Sequence, residues 1–109
     1  MKVRNASTAR MASEHEDQAK VWHLLEEGEC RTLDHVEEFT VKNEVQPHRS
    51  RILAEEFYYV LQGRGIMNVD NEEKEVVAGD LVYIPPGALH GIRVAKRPPL
   101  RVLSWKSAL

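Results

Sequence analysis

Apolar and polar residues alternate in short runs along most of the chain, and turn-forming residues separate one run from the next. The run from Glu56 to Leu61 favours a β-strand most strongly, because it is rich in aromatic and branched side chains. No segment predicts a helix. Further strands are predicted at residues 21–25, 33–42, 45–50, 66–69, 74–78, 81–84, 90–94 and 100–105. Regularly spaced short strands predict an all-β protein, an antiparallel barrel or sandwich of the jelly-roll type.

Turn signals separate these strands. Asp70-Asn71 predicts a hairpin, since both residue types tolerate the backbone of a tight turn. Pro85-Pro86-Gly87 predicts a corner, because proline lacks the N–H donor that a central strand needs. In the last strand, the alternation predicts one face made of Leu100, Val102 and Ser104.

Length and composition indicate one small domain. The chain has 109 residues, of which 42% are hydrophobic and 29% charged, as is ordinary for a globular protein. Residues 1–18 are mostly polar, so we predict an N-terminal arm or edge strand there and a single barrel over residues 19–109. Within the arm, Met1 to Ala6 is assigned to an edge strand, in its own sheet or on a partner subunit, and the rest to an arm or loop. A core of this size is modest, and dimerisation would add to it.

Charge and cysteine content argue against several classes of partner and location. The formal net charge of −2 gives no overall attraction to nucleic acid. Cys30 is the only cysteine, so no intrachain disulfide can form and a reducing cytoplasm is the expected location. No apolar run approaches the roughly 20 residues that cross a bilayer, so no membrane is expected as a partner. The first residues also lack the apolar centre of a signal peptide.

Two segments carry the candidate chemistry. His48 precedes Glu56 at the start of the strongest strand, and His90 follows the proline corner. Because side chains alternate across a strand, Glu56 and Tyr58 share one face and would enter the barrel together. Two neutral imidazoles and one carboxylate are the ligand set of many non-haem iron sites, and other transition metals accept it. The alternative is that each histidine is an ordinary hydrogen-bonded residue of the core.

The spacing in both segments resembles the two sequence motifs of the cupin family. Segment 56–63, Glu-Phe-Tyr-Tyr-Val-Leu-Gln-Gly, looks like the end of the first motif. The second motif is matched at Gly79, Pro85, Gly87 and His90. The resemblance covers residues 40–105 and implies an antiparallel double-stranded β-helix, the cupin jelly-roll barrel. It also implies a small-molecule ligand or substrate and a homodimer.

The chain departs from the cupin pattern just before Glu56. The first motif usually carries His-x-His, whereas here His48 is followed by Arg49 and Ser50, so the second histidine is absent. The resemblance implies that His48, Glu56 and His90 bind a divalent transition metal, which would be iron, manganese, nickel or zinc. Ser50 then supplies a weak oxygen ligand or leaves the fourth position to water.

Arg51 and Tyr58 are the candidate catalytic residues. An inward Arg49 or Arg51 would clamp a carboxylate or phosphate through its planar guanidinium, and it would also repel a metal ion nearby. Tyr58 would act as a hydrogen-bond donor or general acid. The alternatives are that the arginines are solvated loop residues and that Tyr58 is a plain strand aromatic.

Three functions stay open at this point. The resemblance implies a metal-dependent enzyme of dioxygenase, isomerase, cyclase or lyase type. Arg49 and Arg51 suggest instead a metal-free module that binds a small anionic or sugar-like ligand. The third is a structural dimer with an empty pocket. His15, His23 and His35 have no partner at a ligand spacing and are assigned structural roles.

Overall fold

Ten β-strands and no helix make up the protein in the computed structural model, which describes residues 1–109. In chain order the strands are β1 (Arg10–Glu14), β2 (Ala19–Leu25), β3 (His35–Val41), β4 (Glu44–His48), β5 (Ala54–Gln62), β6 (Arg64–Val69), β7 (Glu72–Val77), β8 (Leu81–Ile84), β9 (His90–Val94) and β10 (Leu100–Ala108). With no helix in the structure, no helical segment is present that could span a membrane.

The strands form two antiparallel sheets. The larger sheet has the order β1-β2-β3-β10-β5-β8, and the smaller has the order β4-β9-β6-β7. The core combines buried apolar side chains of both sheets: Val21, Phe39, Val60, Leu100 and Val102 from the larger, Val45, Met67, Val76 and Ile92 from the smaller. Two sheets joined over one core form the jelly-roll barrel, so the all-β prediction is confirmed.

Alternation along β10 shows how the sequence pattern becomes a core. Leu100, Val102 and Ser104 are all at most 1% exposed, as their shared face predicts. Burial of an aliphatic side chain of this size stabilises the fold by about 1.5–3 kcal/mol. The hairpin is also confirmed, because Asp70 and Asn71 join β6 to β7 with φ angles of 47° and 68°.

A glycine brings the two site-bearing strands of the smaller sheet together. A Cβ atom on Gly91 would lie 2.8 Å from the carbonyl oxygen of Val45 and 2.9 Å from the nitrogen of Pro47. Only glycine therefore allows β9 to approach β4 this closely. The approach places His90, at the start of β9, directly opposite His48, at the end of β4.

The N-terminal strand differs from its prediction. Met1 to Ala6 forms no strand, and the edge strand is instead β1, which pairs with β2. Side-chain contacts hold the first residues: Arg4 Nη2 lies 2.8 Å from Glu29 Oε1, and Lys2 Nζ donates to the carbonyl of Glu29 at 2.9 Å. The bond from Arg4 lowers the pKa of Glu29 to about 2. Ion pairing rather than strand pairing thus holds this segment.

Candidate functional site

A cavity of about 860 Å³ opens between the two sheets. Its wall contains most of the chain's chemically active side chains: His15, His23, His35, Glu37, His48, Arg49, Arg51, Glu56, Tyr58 and Lys106. The inward faces of β2, β3, β5 and β10 supply one side of this wall, and β4 with the loop after it supplies the other.

His90 is the most enclosed of the predicted ligands, with a side chain only 1% exposed. Its Nδ1 lies 3.0 Å from the carbonyl oxygen of Ala88. That bond requires the proton on Nδ1, so the lone pair lies on Nε2. Nε2 is buried without a hydrogen-bond partner, 3.6 Å from Glu56 Oε1. Burial lowers the pKa of His90, which favours the neutral imidazole.

His48 lies beside His90. The centroids of the two rings are 4.5 Å apart, and the rings are tilted by 52°. His48 Nδ1 lies 3.0 Å from the carbonyl oxygen of Gln46, which again leaves the lone pair on Nε2. Two histidines on paired strands therefore each use one nitrogen on the backbone and keep the other for a further partner.

Glu56 completes the predicted trio from the opposite sheet. Its side chain is 9% exposed, and its Oε1 accepts a hydrogen bond of 2.8 Å from Ser50 Oγ. Lys106 Nζ lies 3.8 Å from the same oxygen. The structure thus brings His48, Glu56 and His90 together and places Ser50 against the carboxylate.

Tyr58 lies inside the barrel next to the trio, on the face it shares with Glu56. It is 5% exposed, and its ring meets that of His90 edge-on at a centroid distance of 6.2 Å. Burial, followed by the charge of Glu56, raises the pKa of Tyr58 well above its ordinary value. At neutral pH the phenol therefore keeps its proton and is a hydrogen-bond donor.

Arg49 and Arg51 line the mouth of the cavity, and both are exposed to solvent. Arg49 Nε donates to the carbonyl oxygen of Gly87 at 3.1 Å, which fixes this side chain across the opening. The two guanidinium groups thus stand at the entrance, whereas Glu56 and His90 are buried.

A second polar group in the cavity was not found from the sequence. His23 Nδ1 and His35 Nε2 each lie 3.7 Å from an oxygen of Glu37. Burial raises the pKa of Glu37. These residues come together because the register of β2 and β3 pairs His23 with Glu37. No local sequence pattern reveals that register.

His15 is the other residue that sequence analysis missed. It lies in the turn between β1 and β2, and its ring centroid is 4.5 Å from that of His48. No spacing in the sequence links residues 15 and 48. The fold therefore brings a third imidazole to the rim of the predicted site.

The chemistry of the donors fits a transition metal. Imidazole nitrogens with free lone pairs and a carboxylate oxygen are its usual ligands. As the side chains stand, no group of three or more His, Cys, Asp or Glu residues could hold an ion. Binding would require His48, Glu56 and His90 to turn toward a common point.

Comparison with known proteins supports both the fold and the family resemblance. The model of the cupin domain family matches residues 35–106. The crystal structure of a predicted oxalate decarboxylase from Thermotoga maritima has a TM-score of 0.87 and 19% identity, covering 99% of this chain and 100% of the other.

Two curated proteins match over shorter segments. The uncharacterized protein MJ1618 of Methanocaldococcus jannaschii is 50% identical over 50 residues, which are 46% of this chain and 40% of that protein. Dimethylsulfoniopropionate lyase DddW of Ruegeria pomeroyi is 39% identical over 56 residues, which are 51% of this chain and 36% of that protein. The chain therefore spans less than half the length of either curated relative.

Proposed function

Because the chain belongs to the cupin family, we propose that it is an enzyme that binds one divalent transition metal through His48, Glu56 and His90 and acts on a small molecule in the barrel cavity. The metal is iron, manganese, nickel or zinc, all of which accept this ligand set. The buried Nε2 of His90, which has no hydrogen-bond partner, is the single observation that carries the proposal.

The argument from His90 is energetic. A buried polar atom left without a partner costs the fold about 1–3 kcal/mol, so such atoms are rare and call for an explanation. In His90 the orphan is the nitrogen with the lone pair, since Nδ1 is engaged with Ala88. It faces a carboxylate oxygen and a second imidazole of the same tautomer. A metal ion would satisfy the His90 nitrogen and would also bind the other two groups once the side chains turn toward a common point.

Each residue around this site has a role that follows from its placement. A bound metal would supply Lewis acidity toward a substrate oxygen or a water molecule. The protonated Tyr58 donates a hydrogen bond to a substrate oxygen inside the barrel. Arg51, together with Arg49, attracts an anionic group at the cavity mouth. Ser50 holds the Glu56 carboxylate in its orientation.

The same placement favours a small carboxylate as the substrate. A cavity of about 860 Å³ lies within the range of about 300–1,000 Å³ that small-molecule sites occupy. Two arginines at its mouth match a carboxylate in charge and geometry. The names of two similar proteins, a predicted oxalate decarboxylase and dimethylsulfoniopropionate lyase, also refer to carboxylates.

Metal analysis tests the proposal directly. We expect purified protein, stripped and then titrated with Mn²⁺ or Zn²⁺, to bind one equivalent, and the variants His90→Ala and His48→Ala to lose that binding. Elemental analysis of the protein as isolated and calorimetric titration provide the measurements. If the unmodified protein neither retains a first-row metal nor binds one on titration, the metal-dependent function is wrong.

A second candidate function has its own observation. Ser50 and Lys106 already contact Oε1 of Glu56, so this carboxylate has partners without a metal. A metal-free cupin would then bind a small anionic or sugar-like ligand through Arg49 and Arg51. This function predicts that His48→Ala leaves binding of a carboxylate ligand unchanged while Arg51→Ala weakens it. The opposite order favours the metal site.

We also propose that the chain forms a homodimer through the outer face of β5 and β8. Tyr59, Leu61, Leu81 and Tyr83 are 38–58% exposed on this face, which is more apolar surface than one isolated side chain presents. β8 is also an edge of the larger sheet. A two-fold axis beside that edge would pack the same patch of each copy against the other.

A further inference from the structure

The usual first cupin motif has a second histidine where this chain has Ser50, so the predicted site has one nitrogen ligand fewer. Ser50 points its hydroxyl at Glu56, so it is occupied as a hydrogen-bond donor to a ligand. A hydroxyl is also a weaker ligand than imidazole for iron, nickel or zinc. A nitrogen donor that reaches the site from another part of the fold would therefore strengthen metal binding.

His15 lies beside His48 at the rim of the cavity. Its ring centroid is 4.5 Å from that of His48, the same separation that His48 has from His90. A metal–nitrogen bond of about 2.1 Å puts a ring centroid about 3.2 Å from the ion, so two rings that meet at roughly 90° have centroids about 4.5 Å apart. The tilt of 49° between His15 and His48 also keeps the rings from stacking flat.

The backbone that presents His15 is unusual. His15, Glu16 and Asp17 have φ angles of 53°, 56° and 68°, so three consecutive residues other than glycine adopt the left-handed conformation. This conformation is unfavourable for L-residues and persists only where surrounding contacts impose it. Here it turns the chain back from β1 into β2 and leaves His15 beside His48.

Hydrogen bonds tie this turn to the strand that carries His48. The amide of Gln18 donates to the carbonyl of His15 at 3.1 Å. The side-chain oxygen of Gln18 accepts from the amides of Asn43 and Glu44, at 3.1 and 3.0 Å, where β4 begins. Gln18 therefore fixes the spacing between the turn and β4.

We propose that His15 is a metal ligand of this site and takes the role of the absent second histidine. The inference rests on the metal site proposed above and adds to it a residue from outside both sequence motifs. His15 lies at the solvent-exposed rim of the cavity, on the side of the β1–β2 turn.

Cobalt titration of the intact protein tests this ligand. Stripped protein is titrated with Co²⁺, whose visible absorption reports the number and type of ligands, and calorimetry gives the dissociation constant. The variant His15→Asn removes the imidazole and keeps a residue that tolerates positive φ. We expect its dissociation constant to rise by about 10- to 100-fold and its absorption to shift. His15→Gly, which suits the same backbone, repeats the test if the first variant melts early.

His35→Asn is the matched control, since His35 lies in the same cavity but contacts Asp34 and Glu37. It should bind cobalt within about twofold of the unmodified protein. If His90→Ala abolishes binding while His15→Asn keeps the dissociation constant and the spectrum, the role of His15 is wrong and the metal site stands. Equal losses in His15→Asn and His35→Asn also overturn it. If the unmodified protein binds no cobalt, both proposals fail.

Discussion

Lys106 is the residue whose charge bears most directly on the proposed metal site. Its ammonium group lies 3.8 Å from the Glu56 oxygen that a metal would use. Two unit charges at about 4 Å interact by about 1 kcal/mol in water and by more in a less polar cavity. The lysine therefore neutralises Glu56 in the metal-free protein and competes with an incoming cation.

Replacing Lys106 should accordingly strengthen metal binding. We expect Lys106→Met to lower the dissociation constant for Mn²⁺ or Zn²⁺ by at least about fivefold, because the competing and repelling charge is gone. Calorimetric titration gives the value, and Lys20→Met, on an exposed position of β2, controls for the loss of one positive charge. Weaker binding in Lys106→Met would show that the lysine supports the site.

Tyr58 gives a second test at the scale of one residue. Its buried phenol has a raised pKa, so the folded protein holds this proton at a pH where the unfolded chain has released it. Stability from this residue is therefore present below the ordinary tyrosine pKa of about 10 and declines as the pH rises past it.

The measurement for Tyr58 is a spectroscopic titration at 295 nm. We expect the unmodified protein and Tyr58→Phe to develop the same phenolate absorbance up to about pH 11, because Tyr58 does not ionise in the fold. A molar absorbance lower by nearly one phenolate in Tyr58→Phe at about pH 11 would contradict the buried placement. Circular dichroism over the same range shows whether both proteins stay folded.

At the scale of elements, the turn between β1 and β2 stores strain that a substitution can release. Glu16 has a φ of 56° and no side-chain contact that requires glutamate. The left-handed conformation costs about 1–2 kcal/mol for such a residue, whereas glycine adopts it freely at a cost of about 0.5–1 kcal/mol in chain entropy.

Glu16→Gly should therefore raise the free energy of unfolding by about 0.5–1 kcal/mol. Urea denaturation measures the change. Glu72→Gly is the control, because Glu72 is an exposed residue of β7 without positive φ, and glycine in a strand lowers stability by about 0.5–1 kcal/mol. If both variants lose stability equally, the turn is not strained at Glu16.

The elements also show what a single sequence can reveal. The strands of the barrel were predictable because each buries one face. Burial of one face makes apolar and polar residues alternate along the sequence, as at Leu100, Val102 and Ser104. The edge strand β1 was misplaced, since an edge strand exposes both its backbone and most of its side chains and has little apolar alternation. The turn at His15, Glu16 and Asp17 was also missed, whereas the turn at Asp70 and Asn71 was predicted from its residue types.

At the scale of the whole molecule, the site was predictable only where motifs encode it. His90 lies near both Glu56 and His48, because the corner before His90 and the strand of Glu56 belong to the two cupin motifs; their role as ligands stays a prediction. His15 and the group of His23, His35 and Glu37 were missed, since their proximity depends on turn geometry and sheet register. Contacts between residues far apart in the sequence arise from the fold, and no local sequence pattern predicts them.

Oligomeric state belongs to the same scale and gives the last prediction. Leu81 is 58% exposed on the edge strand β8 and lies in the apolar patch with Tyr59, Leu61 and Tyr83. We expect the protein to have about twice its chain mass of 12.5 kDa in light scattering.

Leu81→Glu should convert this dimer to a monomer, because each copy would bury an unpaired carboxylate against the other, at a cost of several kcal/mol. Val3→Glu makes the same kind of change in the N-terminal arm, where Val3 is 81% exposed, and should stay dimeric. A dimer that survives Leu81→Glu would place the interface elsewhere, and a monomeric unmodified protein would end the proposal. Metal titration of the Leu81→Glu monomer then shows whether the cavity needs a partner, and we expect unchanged affinity because the proposed ligands all come from one chain.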